Sequence, residues 1–177
     1  FLRFLNGVAE APLARIGDCP KKQTGTMVRA WPNAKYFDVP NVILPQLERF
    51  VNRKLDESQE LGADLVILEI DSPGGALDVT LNLAARLSEL SWAHTVAYIP
   101  DEALSGAAIL ALACDEIVMG ARARLGDAGP IFQGPDALFR HAPEKLRSDL
   151  ALRVRDLATA KGRPPALAEA MVDMNLQ

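Results

Sequence analysis

Leu65-Val-Ile-Leu-Glu-Ile-Asp-Ser-Pro-Gly-Gly75 is the stretch on which the fold turns. Leu65–Ile70 is a short, β-rich apolar run, the pattern of a strand buried on both faces. Asp71-Ser-Pro-Gly-Gly75 ends it. A helical pattern then runs from Leu77 to Leu90, and Thr95-Val-Ala-Tyr-Ile99 reads as the next strand. Strand, turn, helix and strand in that order make a βαβ crossover, which predicts parallel pairing.

The same alternation extends outward. Upstream, Leu44 to Leu61 reads as a helix with Leu47, Phe50, Val51 and Leu55 on one face and Gly62 behind it as a stop. Downstream, Pro100-Asp-Glu-Ala-Leu104 leads to Ser105. Gly106 to Cys114 is short, apolar and alanine-rich, and predicts a buried helix. Glu116-Ile-Val-Met119 is a third strand. Residues 120 to 143 hold Gly126, Gly129, Pro130, Gly134 and Pro135 and read as loop. Glu144 to Ala160 predicts a long helix buried through Leu146, Leu150, Val154 and Leu157, ended by Gly162, and Pro164-Pro165 opens a last short one. Residues 1 to 40 lack a period and read as an irregular arm of loops with one or two short strands, such as Met27–Trp31; residues 41–177 form the domain. The fold class is α/β, a mostly parallel sheet with flanking helices.

A chain of 177 residues, 49% hydrophobic, is large enough for one substantial core. With a net charge of −4 and no basic block, nucleic acid is not expected as a partner. Cys19 and Cys114 are too few for a disulfide framework, and neither pairs with His94 or His141 at metal spacing, so no metal or cofactor is expected. The longest apolar run, Gly106 to Cys114, is too short to cross a bilayer. A chain opening at Phe1 is expected to be a processed or trimmed product.

Two features bear on chemistry. Paired glycines after a strand let backbone N–H groups approach a ligand closely, although a tight strand-to-helix turn explains Pro-Gly-Gly as well. Ala103-Leu-Ser-Gly-Ala-Ala108 places Ser105 at a helix N-terminus. Its ordinary role there is to cap the helix; its chemical role is that of a nucleophile, with the helix dipole and following N–H groups facing any negative charge that forms. Asp127 is a further candidate whose ordinary reading is an Asx turn; Asp71 and Asp115 read as turn caps, and Arg122 and Arg124 as surface or subunit-contact charges.

Taken together, Ser-Pro-Gly-Gly, Leu-Ser-Gly-Ala, Cys-Asp-Glu-Ile-Val-Met and Leu-Gly-Asp-Ala-Gly-Pro resemble the Clp protease/crotonase superfamily, and within it the NfeD-type membrane-associated serine proteases and signal peptide peptidases. The resemblance covers roughly residues 60 to 173. It implies a ClpP/crotonase-like fold, Ser105 as nucleophile and the N–H groups of Gly75 and Gly106 as the oxyanion hole. It implies that peptides lie along Pro73 and Gly74, adding a strand beside Gly74-Gly75. The NfeD-type pattern commonly reads Ser-Ala-Gly where this chain reads Ser-Gly-Ala, closer to signal peptide peptidases.

A serine hydroxyl needs a base. Clp proteases use histidine, but neither His94 nor His141 falls where that histidine would. The NfeD-type proteases use lysine at the start of the long helix, and Ala142-Pro-Glu-Lys-Leu146 with Lys161-Gly-Arg163 puts it on Lys145. Read without the resemblance, Lys145 is a solvated residue in a first helical turn; His141 stays open as the other base. The implied function is a Ser-Lys endopeptidase cleaving apolar peptide or membrane-protein segments, membrane-associated or extracytoplasmic, and assembled as a homo-oligomer. The competing readings are a crotonase-like acyl-CoA enzyme, which carries acidic groups around the acyl chain, and a non-catalytic scaffold.

Overall fold

A computed structural model describes residues 4–5, 8–9, 34–39 and 42–173. Its elements are β1 (Phe4–Leu5), β2 (Val8–Ala9), β3 (Ala34–Val39), β4 (Val42–Ile43), α1 (Pro45–Glu60), β5 (Leu65–Ile70), β6 (Gly74–Gly75) and α2 (Leu77–Ser88). They continue with β7 (His94–Ile99), β8 (Glu102–Leu104), α3 (Gly106–Ala113), β9 (Glu116–Met119) and β10 (Arg124–Gly126). The last are β11 (Ile131–Gln133), β12 (Phe139–His141), α4 (Glu144–Ala160) and α5 (Pro165–Ala170).

A four-stranded sheet in the order β3-β5-β7-β9 forms the base, and every neighbouring pair is parallel. The fold is α/β with a parallel central sheet, as the strand–helix alternation predicts. Val66, Leu68 and Ile70 of β5 are fully buried, as are Ala97 and Ile99 of β7. Burying a side chain of the Val, Leu or Ile class contributes about 1.5–3 kcal/mol, so this central pair anchors the core. Above it, α1 buries Leu47, Val51 and Leu55, and α2 buries Val79, Leu83 and Leu87. All eight residues of α3 are buried. Its small side chains let α2 and α4 both pack closely against it.

Beyond the carboxyl ends of β5 and β7 the chain builds a second, smaller layer. β4 pairs with β6 and β8 with β10, both parallel, and Ser72 bridges Ala103. Two backbone bonds, Ser72 N–H to Glu102 O (2.9 Å) and Leu104 N–H to Ser72 O (3.0 Å), stitch the Ser-Pro-Gly-Gly turn to the strand leading into Ser105.

Three expectations are corrected. β3 pairs along its whole length with β5, so the sheet begins within the region assigned to an irregular arm, ahead of residue 41; the Met27–Trp31 strand lies outside the described residues. Residues 120–143 hold β10 and the antiparallel hairpin β11–β12 rather than loop alone. Strands of three residues are too short to show a period. Leu146 is exposed, because α4 buries its face only from Leu150 onward, through Ala151, Val154 and Ala158.

Candidate active site

Ser105 joins β8 to α3 with φ 53° and ψ −125°, a conformation that costs a non-glycine residue about 1–3 kcal/mol. The surroundings hold it there. Its N–H donates to Gly126 O (3.0 Å) on β10, and its carbonyl accepts from Ala108 N–H (3.1 Å) and Ile109 N–H (3.4 Å) at the start of α3. Its hydroxyl makes no cap bond, so the ordinary role of a serine at a helix start is unfilled.

Gly74 makes this junction sterically feasible. Its φ is +99°, and a Cβ placed on it would lie 2.6 Å from Ser105 Cβ and 2.9 Å from both Gly106 N and Leu104 O. Its N–H donates to the buried Ser72 hydroxyl at 3.1 Å. On the other side, the Ala76 N–H is spent on Ile43 O (2.8 Å), which pins the residue after Gly75 to β4.

A pocket of about 220 Å³ opens beside Ser105, lined by Gly75, Gly106, Ile109, Pro130 and Ile131 among others. Of the residues picked from sequence, it brings together Ser105, Gly75 and Gly106. Gly74 is buried behind Ser105, Pro73 is exposed, and neither lines the pocket. Lys145 is exposed in the first turn of α4 and is not a lining residue; His141 is exposed on β12. Asp127, with φ +50°, is exposed beside Gly126. Ile109, Pro130 and Ile131 were not singled out by sequence, since an apolar wall residue looks like any core residue until the chain is folded.

A second polar cluster lies at the opposite end of α3. The turn after α4 brings Lys161 and Arg163 beneath it. Lys161 Nζ donates to Asp115 Oδ1 (2.6 Å), while Asp115 Oδ2 accepts from Thr95 N–H and Thr95 Oγ1, both at 2.8 Å. The Arg163 guanidinium donates to the carbonyls of Leu112 (2.9 Å), Cys114 (2.8 Å) and Asp115 (3.0 Å), satisfying the last turn of α3. Asp115 is thus a bolt between β7, α3 and α4 and not a simple turn cap. Burial pushes its carboxyl up, but the bonds from Lys161 and Thr95 outweigh this and hold it below its ordinary value. Burial, with the Asp115 charge beside it, pushes the Cys114 thiol up to about 12, so that thiol is inert at neutral pH.

A carboxyl depressed in the native state stabilises the fold fully above its unfolded value, and that contribution is lost as pH falls through the native one. In urea unfolding, wild type is therefore expected to exceed Asp115→Asn at neutral pH, with the gap closing below about pH 4. A gap that stays constant down to about pH 2 would contradict this assignment.

The family model of the NfeD1b N-terminal domain matches residues 36–177, beginning inside β3. The chain belongs to the NfeD1b family. It is 31% identical over 130 residues to the membrane protein NfeD1b of Bacillus subtilis (strain 168), covering 73% of this chain and 29% of that protein. It is 24% identical over 128 residues to the membrane-bound protease PH1510 of Pyrococcus horikoshii, covering 71% and 29%. The chain thus spans under a third of the length of these relatives. Among solved structures it is similar to the 1510-N membrane-bound stomatin-specific protease in a serine-to-alanine form. That match has a TM-score of 0.76 at 22% identity and covers 83% of this chain and 72% of the other. A lysine-to-alanine form of the same protease, in complex with a substrate peptide, matches at 0.74 and 22%, covering 80% and 66%. ClpP1 from Listeria monocytogenes matches at 0.59 and 15%, covering 79% of each chain. Among the described residues, no helix is long and apolar enough to cross a membrane.

Proposed function

We propose that this chain is the peptide-cleaving domain of a membrane-associated NfeD-type protease, with Ser105 as nucleophile, Lys145 as general base and the Gly75 and Gly106 N–H groups as oxyanion donors. The observation that carries the reading is the unspent hydroxyl of Ser105, held at positive φ on the N-terminus of α3 and opening on a pocket shared with Gly75 and Gly106. In its neutral form Lys145 takes the proton from Ser105 Oγ as that oxygen attacks the scissile carbonyl. The oxyanion faces the two N–H groups and the positive end of α3. The ammonium formed on Lys145 then protonates the leaving amine; the Lys145 amine, neutral again, deprotonates the water that attacks the acyl-serine and returns that proton to Ser105 Oγ.

Lys145 is tied to the pocket through the backbone: the Ala142 N–H, three residues ahead of it, donates to the carbonyl of the lining residue Pro130 (2.8 Å). Because Lys145 is exposed and outside the lining, the reading requires the start of α4 to close over Ser105 when a peptide binds or when copies of the chain assemble into the homo-oligomer. Ile109 and Ile131 give the pocket an apolar wall, which suits an extended peptide with apolar side chains. Among the described residues, none that lines it carries a carboxylate, the group an acyl-CoA reading calls for.

A serine-acylating fluorophosphonate tests the reading directly. Incubation with the protein and peptide mapping by mass spectrometry are expected to give one adduct, on Ser105, reduced by an excess of apolar peptide. Adducts spread over other serines, with none on Ser105, would exclude it.

A further inference from the structure

We infer that Thr80 is a positioning residue that sets the separation of the two oxyanion donors, and that residue 106 is glycine because Thr80 occupies the space beside it. The inference rests on the assignment of Gly75 and Gly106 above, and concerns a residue with no direct role in the chemistry.

Thr80 is the fourth residue of α2 and is fully buried. Both its N–H (3.0 Å) and its hydroxyl (2.9 Å) donate to the carbonyl of Ala76, the residue directly after Gly75. Ala76 is itself held to β4 through its N–H, so this side of the wedge is fixed. The other side meets α3. A Cβ placed on Gly106 would lie 2.4 Å from Thr80 Oγ1 and 3.3 Å from both Thr80 Cβ and Cγ2. The φ of Gly106 lies outside the left-handed region, so glycine is required here by space and not by backbone conformation. One buried side chain is therefore bonded to the turn that carries one donor and in contact with the residue that carries the other.

The contact atoms predict a specific pattern of suppression. Gly106→Ala sets its Cβ against Thr80 Oγ1, so either Thr80 turns away and loses its bond to Ala76 or α3 moves away from α2, and both disturb the spacing of the two donors. Thr80→Ala removes Oγ1 and Cγ2 and leaves only the 3.3 Å approach of Cβ, which a small shift relieves. Thr80→Ser keeps the offending oxygen and its bond to Ala76.

The experiment measures kcat and KM for an apolar peptide, together with thermal unfolding, in wild type, Ser105→Ala, Gly106→Ala, Thr80→Ala, Thr80→Ser and the two double variants. Gly106→Ala is expected to lose about 100-fold in kcat, the effect of disabling one oxyanion donor, with KM changed little. Thr80→Ala is expected to lose about 10-fold and Thr80→Ser to stay near wild type. Thr80→Ala combined with Gly106→Ala should recover about 10-fold over Gly106→Ala and regain its lost Tm, while Thr80→Ser combined with Gly106→Ala should recover neither. Ser105-dependent hydrolysis in wild type without this recovery overturns the inference and leaves the protease reading intact. Absence of any Ser105-dependent hydrolysis overturns the protease reading and with it the positioning role. The steric pairing is then judged on Tm alone, and is overturned if Thr80→Ala does not restore the stability of Gly106→Ala.

Discussion

Ser105→Ala and Lys145→Ala are each expected to lower kcat/KM for peptide hydrolysis by about 10⁴-fold or more, and the double variant should fall no further, because nucleophile and base act as a unit. Neither change should unfold the protein. Ser105 makes no side-chain cap bond and Lys145 is exposed, so each should shift Tm by no more than about 2–4 °C, the equivalent of about 1 kcal/mol in a chain of this size. Lys145→Arg should be as inactive as Lys145→Ala, since a guanidinium stays protonated and cannot accept the serine proton. The assay also separates the two candidate bases. His141 is exposed on β12, within the hairpin whose first residue, Ile131, lines the pocket. Activity kept in Lys145→Ala and lost in His141→Ala would move the base to His141 and end the Ser-Lys assignment.

Gly74→Ala is expected to destabilise the fold by about 3 kcal/mol or more, a large effect for one methyl group. Three atoms stand in its way, Ser105 Cβ at 2.6 Å and Gly106 N and Leu104 O at 2.9 Å, and two of them are backbone. No flexible side-chain end is available to yield. The φ of +99° adds its own penalty for any residue with a Cβ. Relief requires the β8–α3 junction to move, and that junction is fixed by backbone bonds between Ser105 and Gly126 and between Ser72 and both Leu104 and Glu102. Gly129→Ala is the matched control, because a Cβ there would meet only Val172 O, at 3.6 Å, with no positive φ. Urea titrations should give a much lower midpoint for Gly74→Ala and a midpoint near wild type for Gly129→Ala. Equal midpoints for the two would mean that Ser105 is not held by close approach to Gly74.

Local spacing carried most of the architecture. α1, α2 and α4 are long enough to repeat an apolar face several times, and β5, β7 and β9 are compact β-rich runs bounded by turn residues, so each is legible within a window of its own length. Parallel pairing followed from their alternation. The small strands β4, β6, β8, β10, β11 and β12 were not legible, because two or three residues show no period and their partners are set by where larger elements bring them. β3 was missed because pairing to β5, across the whole of α1, defines it rather than its own pattern.

The site divides along the same line. The glycine pair after a strand and the serine before a buried helix stand out as local features, while the roles proposed for Gly75, Ser105 and Gly106 came from the two read together as a family resemblance. The sequence also brought Lys145 into view, through resemblance alone. Folding decided what local pattern could not. The Ser105 hydroxyl is left without a cap bond, Gly74 lies against Ser105 across the chain, and Thr80 stands between two turns. Lys161 reaches Asp115 from 46 residues away, and Lys145 stays outside the pocket. Each contact among them, Gly74 to Ser105, Thr80 to Gly106 and Lys161 to Asp115, joins segments distant in sequence. Its distance is fixed by how close-packed helices and strands stack, and that packing is a property of the whole core and of no single stretch of chain.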